Sequence, residues 1–249
     1  MATIEAVDFF YLRMPVVEAI ADNSQDSLLV RVASGGDVGW GECDAAPLVS
    51  IASFIAPMSH GICQPVGTSV LGQRLDDVAD IARINREVRA NSLDLLQTSH
   101  TLAGIDMALW DLLGRRRGEP VWRLLGHDQS TRKTPYASQL FGDEPQETRA
   151  KGKAQREAGF RAVKFGWGPY GQGDASTDAA HIAAAREGLG EDGILLVDAG
   201  TVWVDDVAAA AARLDALIEH RATWLEEPFI SAALGAYKAL AERAAPLRL

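Results

Sequence analysis

The stretch TWLEEPF, residues 223–229, sets two adjacent carboxylates at the end of an apolar run. Trp224 and Leu225 read as buried strand, and Pro228 ends or turns it. An ionised carboxylate taken out of water is costly unless something positive accompanies it. One explanation is a helix N-terminus, with Glu226 and Glu227 in the first turn and Pro228 near its first position. The other is a ligand or catalytic site at the carboxyl end of a barrel strand. The rest of the chain has to decide.

Working outward, the same rhythm runs through everything after about residue 133. TPYASQLF (134–141), RAVKFGW (161–167), GILLVDAG (193–200) and ATWLEEPF (222–229) read as strands. Helical patterns over 145–158, 176–188, 205–220 and 232–245 follow them, and PLRL (246–249) begins a further strand. Four βα units with short links predict a parallel sheet. The alanine run 208–212 falls within a helix pattern and is read as helix.

Residues 1–132 differ. IEAVDFFYLRM (4–14), SLLVRVAS (27–34) and VGWGEC (38–43) read as strands, the last two joined by a Gly-Gly turn. Residues 47–72 read as irregular. Amphipathic helices are predicted over 75–90 and 101–118. The second has Leu102, Ile105, Met107, Ala108, Leu109, Leu112 and Leu113 on one broad face, and it ends on Arg-Arg-Arg-Gly. Trp40 and Trp110 read as core. The chain thus divides into an α+β module, 1–132, and a βα module, 133–249.

Three successive strand ends carry residues that a plain core would not want. The second barrel strand carries Lys164, the third ends on Asp198 and the fourth on Glu226 and Glu227. Asp198 and Glu226 are 28 residues apart, about one βα unit. Neighbouring strands lie ~4.8 Å apart, so side chains at matching ends can converge on one cation. Two hard carboxylates with open positions suit Mg²⁺. Ala162, Lys164 and Gly166 share one strand face, expected to line the barrel interior. Val163, Phe165 and Trp167 share the face expected to meet helices. Taken singly, Asp198 would read as a turn residue and Glu226 as a helix-dipole partner. Their repetition across units favours a site.

GWGPYG (166–171) matches the G-x-G-x-x-G dinucleotide pattern, a weak signal when it stands alone. Pro169 stiffens the turn, and QGDAST intervenes before a credible helix start. Asp198 lies 27 residues past Gly171, rather than about 20. An open loop at the barrel mouth is the better reading.

Composition bounds the rest. The chain has 249 residues, 24 basic and 34 acidic, with a net charge of −10. This argues against a nucleic-acid surface. No apolar run approaches the ~18 residues of a membrane span, and the N-terminus lacks a signal-peptide pattern. Cys43 and Cys63 form no disulfide framework, so a reducing, cytoplasmic setting is expected.

GWGEC, IDMALWDLLGRRRGEPVWRLLG, AVKFG, LLVDAG and TWLEEPF together resemble the enolase superfamily, in its mandelate racemase / muconate lactonizing branch. The resemblance implies an α/β, enolase-like fold: an N-terminal α+β capping domain, then a (β/α) TIM-type barrel of which about the first half is present. It implies Mg²⁺-assisted abstraction of a proton α to a carboxylate through an enediolate, with a Lys or His base. Residue by residue, Asp198 and Glu226 match the first two metal ligands and Lys164 the first lysine of a Lys-x-Lys motif. Glu227 would support the metal site by hydrogen bonding. Asp22, Asn23, Asp44 and His60 are candidates for substrate-contacting loops, each against the commoner reading of ordinary loop polarity. The expected partner is a small-molecule carboxylate substrate, with no nucleic acid and no membrane, and a homo-oligomer is expected.

Two departures matter. Gly166 stands where the second lysine would act as a base, which disfavours a two-base racemase. Dehydration of an acid sugar or other hydroxy acid fits better, with a racemase or epimerase, or a catalytically incomplete fragment, as alternatives. Gly200 replaces a polar residue that many relatives place beside the metal. Only 117 residues run from 133 onward, whereas a full barrel takes ~250. The third metal ligand and the base are therefore expected beyond residue 249.

Overall fold

The computed structural model describes residues 2–18, 25–43 and 46–249. Two compact units, Met1–Thr131 and Arg132–Leu249, divide the chain.

The first unit opens with an antiparallel sheet of β1 (Ile4–Arg13), β2 (Asp26–Ser34) and β3 (Asp37–Cys43), in that order. Alternation sets its inner face: Leu28, Val30, Val32 and Ser34 of β2 are all buried. Gly35 and Gly36, at φ +61° and +85°, make the two-residue turn between Ser34 and Asp37. Positive φ at both positions is what such a hairpin requires.

Four helices follow: α1 (Pro47–Ile55), α2 (Val78–Asn91), α3 (Thr98–Arg117) and α4 (Val121–Leu124). Asp77 and Asp80 form a reciprocal capping box that fixes the start of α2. Asp80 is buried and also accepts from Arg74 and Arg83. α3 ends after three arginines at Gly118, φ +64°, and Arg116 donates to Asp37 and to the Ser34 and Leu75 carbonyls.

α3 lies directly on the main chain of β3. A Cβ added to Gly39 would stand 2.1 Å from the Ala108 carbonyl oxygen, and one added to Gly41 would stand 2.0 Å from that of Gly104. Only glycine allows that approach. Trp40, between them, faces the other side. It is 41% exposed and tilts against Phe10, ring centroids 5.5 Å apart, so the expectation of a core residue is corrected. Trp110 is half-buried against the core, while Met107 is 46% exposed and not on the buried face.

Residues 47–72 are not wholly irregular, since they hold α1 and a 3₁₀ turn, Val66–Ser69. The pattern misleads because α1 has apolar residues on both faces. It buries Pro47, Ser50, Ser53 and Phe54 while Leu48 and Ile55 are exposed. Small serines let it pack closely, and the Ser50 carbonyl accepts from buried Thr101.

The second unit alternates strictly: β4 (Tyr136–Leu140), α5 (Pro145–Glu157), β5 (Ala162–Gly166), α6 (Ala175–Leu189), β6 (Ile194–Asp198), α7 (Val207–Ala211), α8 (Leu214–Glu219), β7 (Ala222–Glu226) and α9 (Leu234–Ala244). The four strands form one parallel sheet in sequence order, as expected for part of a TIM-type barrel. Val163, Phe165, Leu195, Val197 and Leu225 share a buried core with Ile182, Ala185, Leu189, Leu214, Leu217 and Leu240. Lys164 and Gly166 therefore face the other side of the sheet.

The helix expected over 205–220 is two helices. Arg213, at the break, sends Nη1 to the Ala209 carbonyl and Nε to buried Asp178, so its side chain takes over hydrogen bonding from the backbone ladder. PLRL contributes a bridge, Trp224 to Arg248, beside β7.

Candidate active site

Register brings the chemistry together. Asp198 lies opposite Gly166 on one side and Glu226 on the other, all at the carboxyl ends of adjacent parallel strands. Lys164 pairs with Leu196, one pleat below, and its long side chain rises toward the same end. Its Nζ donates to Asp198 Oδ2 at 2.9 Å and to Glu226 Oε2 at 3.1 Å. The other Asp198 oxygen, Oδ1, accepts from the Gly200 N–H at 2.9 Å. Three charged groups on three strands thus meet at one point, with Lys164 13%, Asp198 9% and Glu226 36% exposed.

Burial alone would lower the Lys164 pKa, but hydrogen bonds and charge from Asp198 and Glu226 outweigh it and push it up. The ammonium is held protonated. Tyr136 of β4 lies beside it, ring centroid 5.7 Å from Nζ, and Trp224 packs edge-on against Tyr136 at 6.0 Å. In the sequence Trp224 read only as buried strand, and Tyr136 did not stand out. The period-2 pattern of β4 does place Tyr136 on the same face as the residue opposite Lys164, and that was the available signal.

Gly166 is not an open gap. A Cβ there would stand 2.8 Å from Asp198 Cβ and 3.3 Å from its carboxyl carbon. The space where a second lysine would begin is filled by the Asp198 side chain. Gly200, φ +55°, is covered by the Trp167 indole, whose ring atoms lie 2.6–3.0 Å from where its Cβ would be. A side chain at 200 would displace Trp167, itself at φ +57°. Thr201, Val204 and Glu227 are also left-handed, so backbone strain gathers in the loops that follow β5, β6 and β7. Such strain persists only where surrounding structure enforces it, and it is typical of functional rims.

Of the other sequence candidates in this unit, the Glu227 side chain does not join the cluster. Glu227 is exposed, and it is its main-chain carbonyl that engages, accepting from the Thr201 N–H. His60 belongs to the first unit, where Nε2 lies 3.1 Å from Asp94 Oδ2. Asp22, Asn23 and Asp44 lie outside the described residues.

Among the described residues no group of three or more His, Cys, Asp and Glu could hold a metal ion. Asp198 and Glu226 nevertheless aim one oxygen each at a single positive centre. That donor set fits part of the shell of a hard divalent cation. No helix among the described residues is long and apolar enough to cross a membrane.

An α+β module followed in sequence by βα units whose parallel strands end on carboxylates defines an enolase-type protein. The chain belongs to the mandelate racemase / muconate lactonizing enzyme family: the N-terminal domain of that family matches residues 2–126, and the enolase C-terminal domain-like family matches 147–249. A crystal structure of a predicted mandelate racemase from Rhodobacter sphaeroides is 61% identical, with a TM-score of 0.93, over 98% of this chain and 62% of that one. A mandelate racemase/muconate lactonizing protein from Paracoccus denitrificans, complexed with magnesium, is 27% identical, with a TM-score of 0.74, over 98% of this chain and 63% of that one. Among curated proteins, cis-3-hydroxy-L-proline dehydratase of Roseibium aggregatum is 28% identical over 90% of this chain and 61% of its own length. Other curated relatives are named as cycloisomerases, an epimerase and a sugar-acid dehydratase. The chain spans less than two thirds of the length of each of these three closely described relatives.

Proposed function

We propose that this chain carries part of the active site of a magnesium-dependent lyase that removes a proton α to a carboxylate, acting on an acid sugar or other hydroxy acid. One observation carries the reading: Lys164 sits between Asp198 and Glu226 at the carboxyl ends of adjacent parallel strands. In the proposal Asp198 and Glu226 hold the cation. When bound, the ion supplies positive charge beside the carboxylate whose α-proton is lost. The Lys164 ammonium binds that carboxylate and stabilises charge that grows as the proton leaves. Asp198 is oriented by the Gly200 N–H, which keeps its oxygens aimed at the site.

Gly166 favours a lyase over a racemase that uses two bases. It brings no proton acceptor, and the neighbouring Asp198 fills the space beside it.

The test is solvent deuterium exchange at the α-carbon of a panel of acid sugars, with Mg²⁺, by a protein extended to the length of its relatives. Exchange that is lost on Lys164→Ala supports the proposal. Normal exchange without Lys164 overturns the role given to that residue.

A further inference from the structure

Lys164 Nζ donates to both carboxylates that the proposed cation would use, at 2.9 Å to Asp198 Oδ2 and 3.1 Å to Glu226 Oε2. The remaining Asp198 oxygen is already engaged by the Gly200 N–H. Ammonium and metal ion thus draw on the same lone pairs, and two positive centres cannot share so small a space without strong repulsion. Resting on the reading of Asp198 and Glu226 as cation ligands, we infer that Lys164 is an internal competitor for the metal. Its ammonium neutralises the two carboxylates, and a divalent ion would gain its place only as those two N–H···O bonds break and free the oxygen lone pairs to it.

Three consequences follow from charge and reach. A monovalent ion offers the carboxylates no more charge than the ammonium does, whereas a divalent ion offers twice as much. The competition therefore selects for divalent ions. Second, an ammonium that loses the carboxylates keeps another attractive neighbour. The face of Tyr136, 5.7 Å from Nζ, attracts a cation through its ring quadrupole. Third, an ammonium released from the two carboxylates is free to meet an anionic substrate. Metal binding then precedes productive substrate binding and prepares for it.

The experiment measures Mn²⁺ binding to the protein extended to the length of its relatives, from the electron paramagnetic resonance signal of free Mn²⁺. It compares the unaltered chain, Lys164→Met, and Lys164→Met combined with Asp198→Asn. Losing one positive charge at this distance should tighten Mn²⁺ binding about tenfold or more, and the added Asp198→Asn should abolish the gain. As a second readout, Mn²⁺ should raise the melting temperature of Lys164→Met more than that of the unaltered chain. If Lys164→Met fails to fold by circular dichroism, Lys164→Gln replaces it. Equal or weaker binding by the lysine variant overturns the competition, while loss of binding on Asp198→Asn still supports the metal site. Binding indifferent to Asp198→Asn, or absent from all three proteins, overturns the metal-site reading itself.

Discussion

Arg213 Nε donates to Asp178 Oδ2 at 2.9 Å, with both side chains buried. Asp178 Oδ1 also accepts from the Gly171 N–H, and Arg213 reaches the Gly173 carbonyl and lies over the Trp203 ring. This one pair ties the loop after β5 to α6 and to the loop that follows β6. It thereby fixes the loop that leaves β5, the strand that carries Lys164.

Asp178→Asn should destabilise the protein by about 3–5 kcal/mol, the usual cost of leaving one member of a buried pair without its partner. Urea unfolding checks it. Replacing both members by apolar residues should cost less than the single change, because no charge is then stranded.

Gly166→Ala should displace the Asp198 carboxylate, since the new Cβ would stand 2.8 Å from Asp198 Cβ and 3.1 Å from its carbonyl oxygen. Overpacking of this kind costs about 1–3 kcal/mol. Mn²⁺ affinity should fall along with the unfolding midpoint. Unchanged affinity would show that the carboxylate can move aside and still bind.

Burial pushes the pKa of His181 down, against weaker opposing pulls from Asp178 and Glu144, and its Nδ1 lies 2.9 Å from Thr148 Oγ1. With the folded value below the ordinary 6.5, the unfolded chain takes up a proton that the folded chain refuses. Stability should therefore be full above pH 6.5 and fall as the pH drops from there toward the folded value. In His181→Gln the pH dependence of the urea midpoint should flatten across that range.

Limited proteolysis should cut between Asp128 and Lys133, an exposed stretch without regular structure, before it cuts inside α3. Early cleavage within 101–118 would count against a boundary there.

How much of this was written in the sequence depends on the kind of signal. β5, β6 and β7 were legible because short strands with buried alternate residues leave apolar runs, which Lys164 interrupts and Asp198 and Glu226 end. α1 was not legible, because it buries Ser50 and Ser53 beside Phe54 while leaving Leu48, Val49 and Ile55 exposed. The break at Arg213 was hidden by helix-forming neighbours. What breaks the helix there is a partner 35 residues away in sequence. Gly166 could be read as a missing base. That its Cβ has nowhere to go emerges only from the register with Asp198.

The seat of α3 on Gly39 and Gly41 bears on how this protein can change over time. Most helix–sheet joints are cushioned by side chains, which can be traded a methyl group at a time with partial compensation nearby. Here carbonyl oxygens of one element press on the α-carbons of the other, at 2.1 and 2.0 Å from where a Cβ would stand. No intermediate step is available, because the smallest replacement for glycine already collides with backbone. A substitution scan should find these two positions all-or-none, while Trp40 between them accepts many residues. The joint is a fixed coordinate around which the rest of the first unit is free to drift.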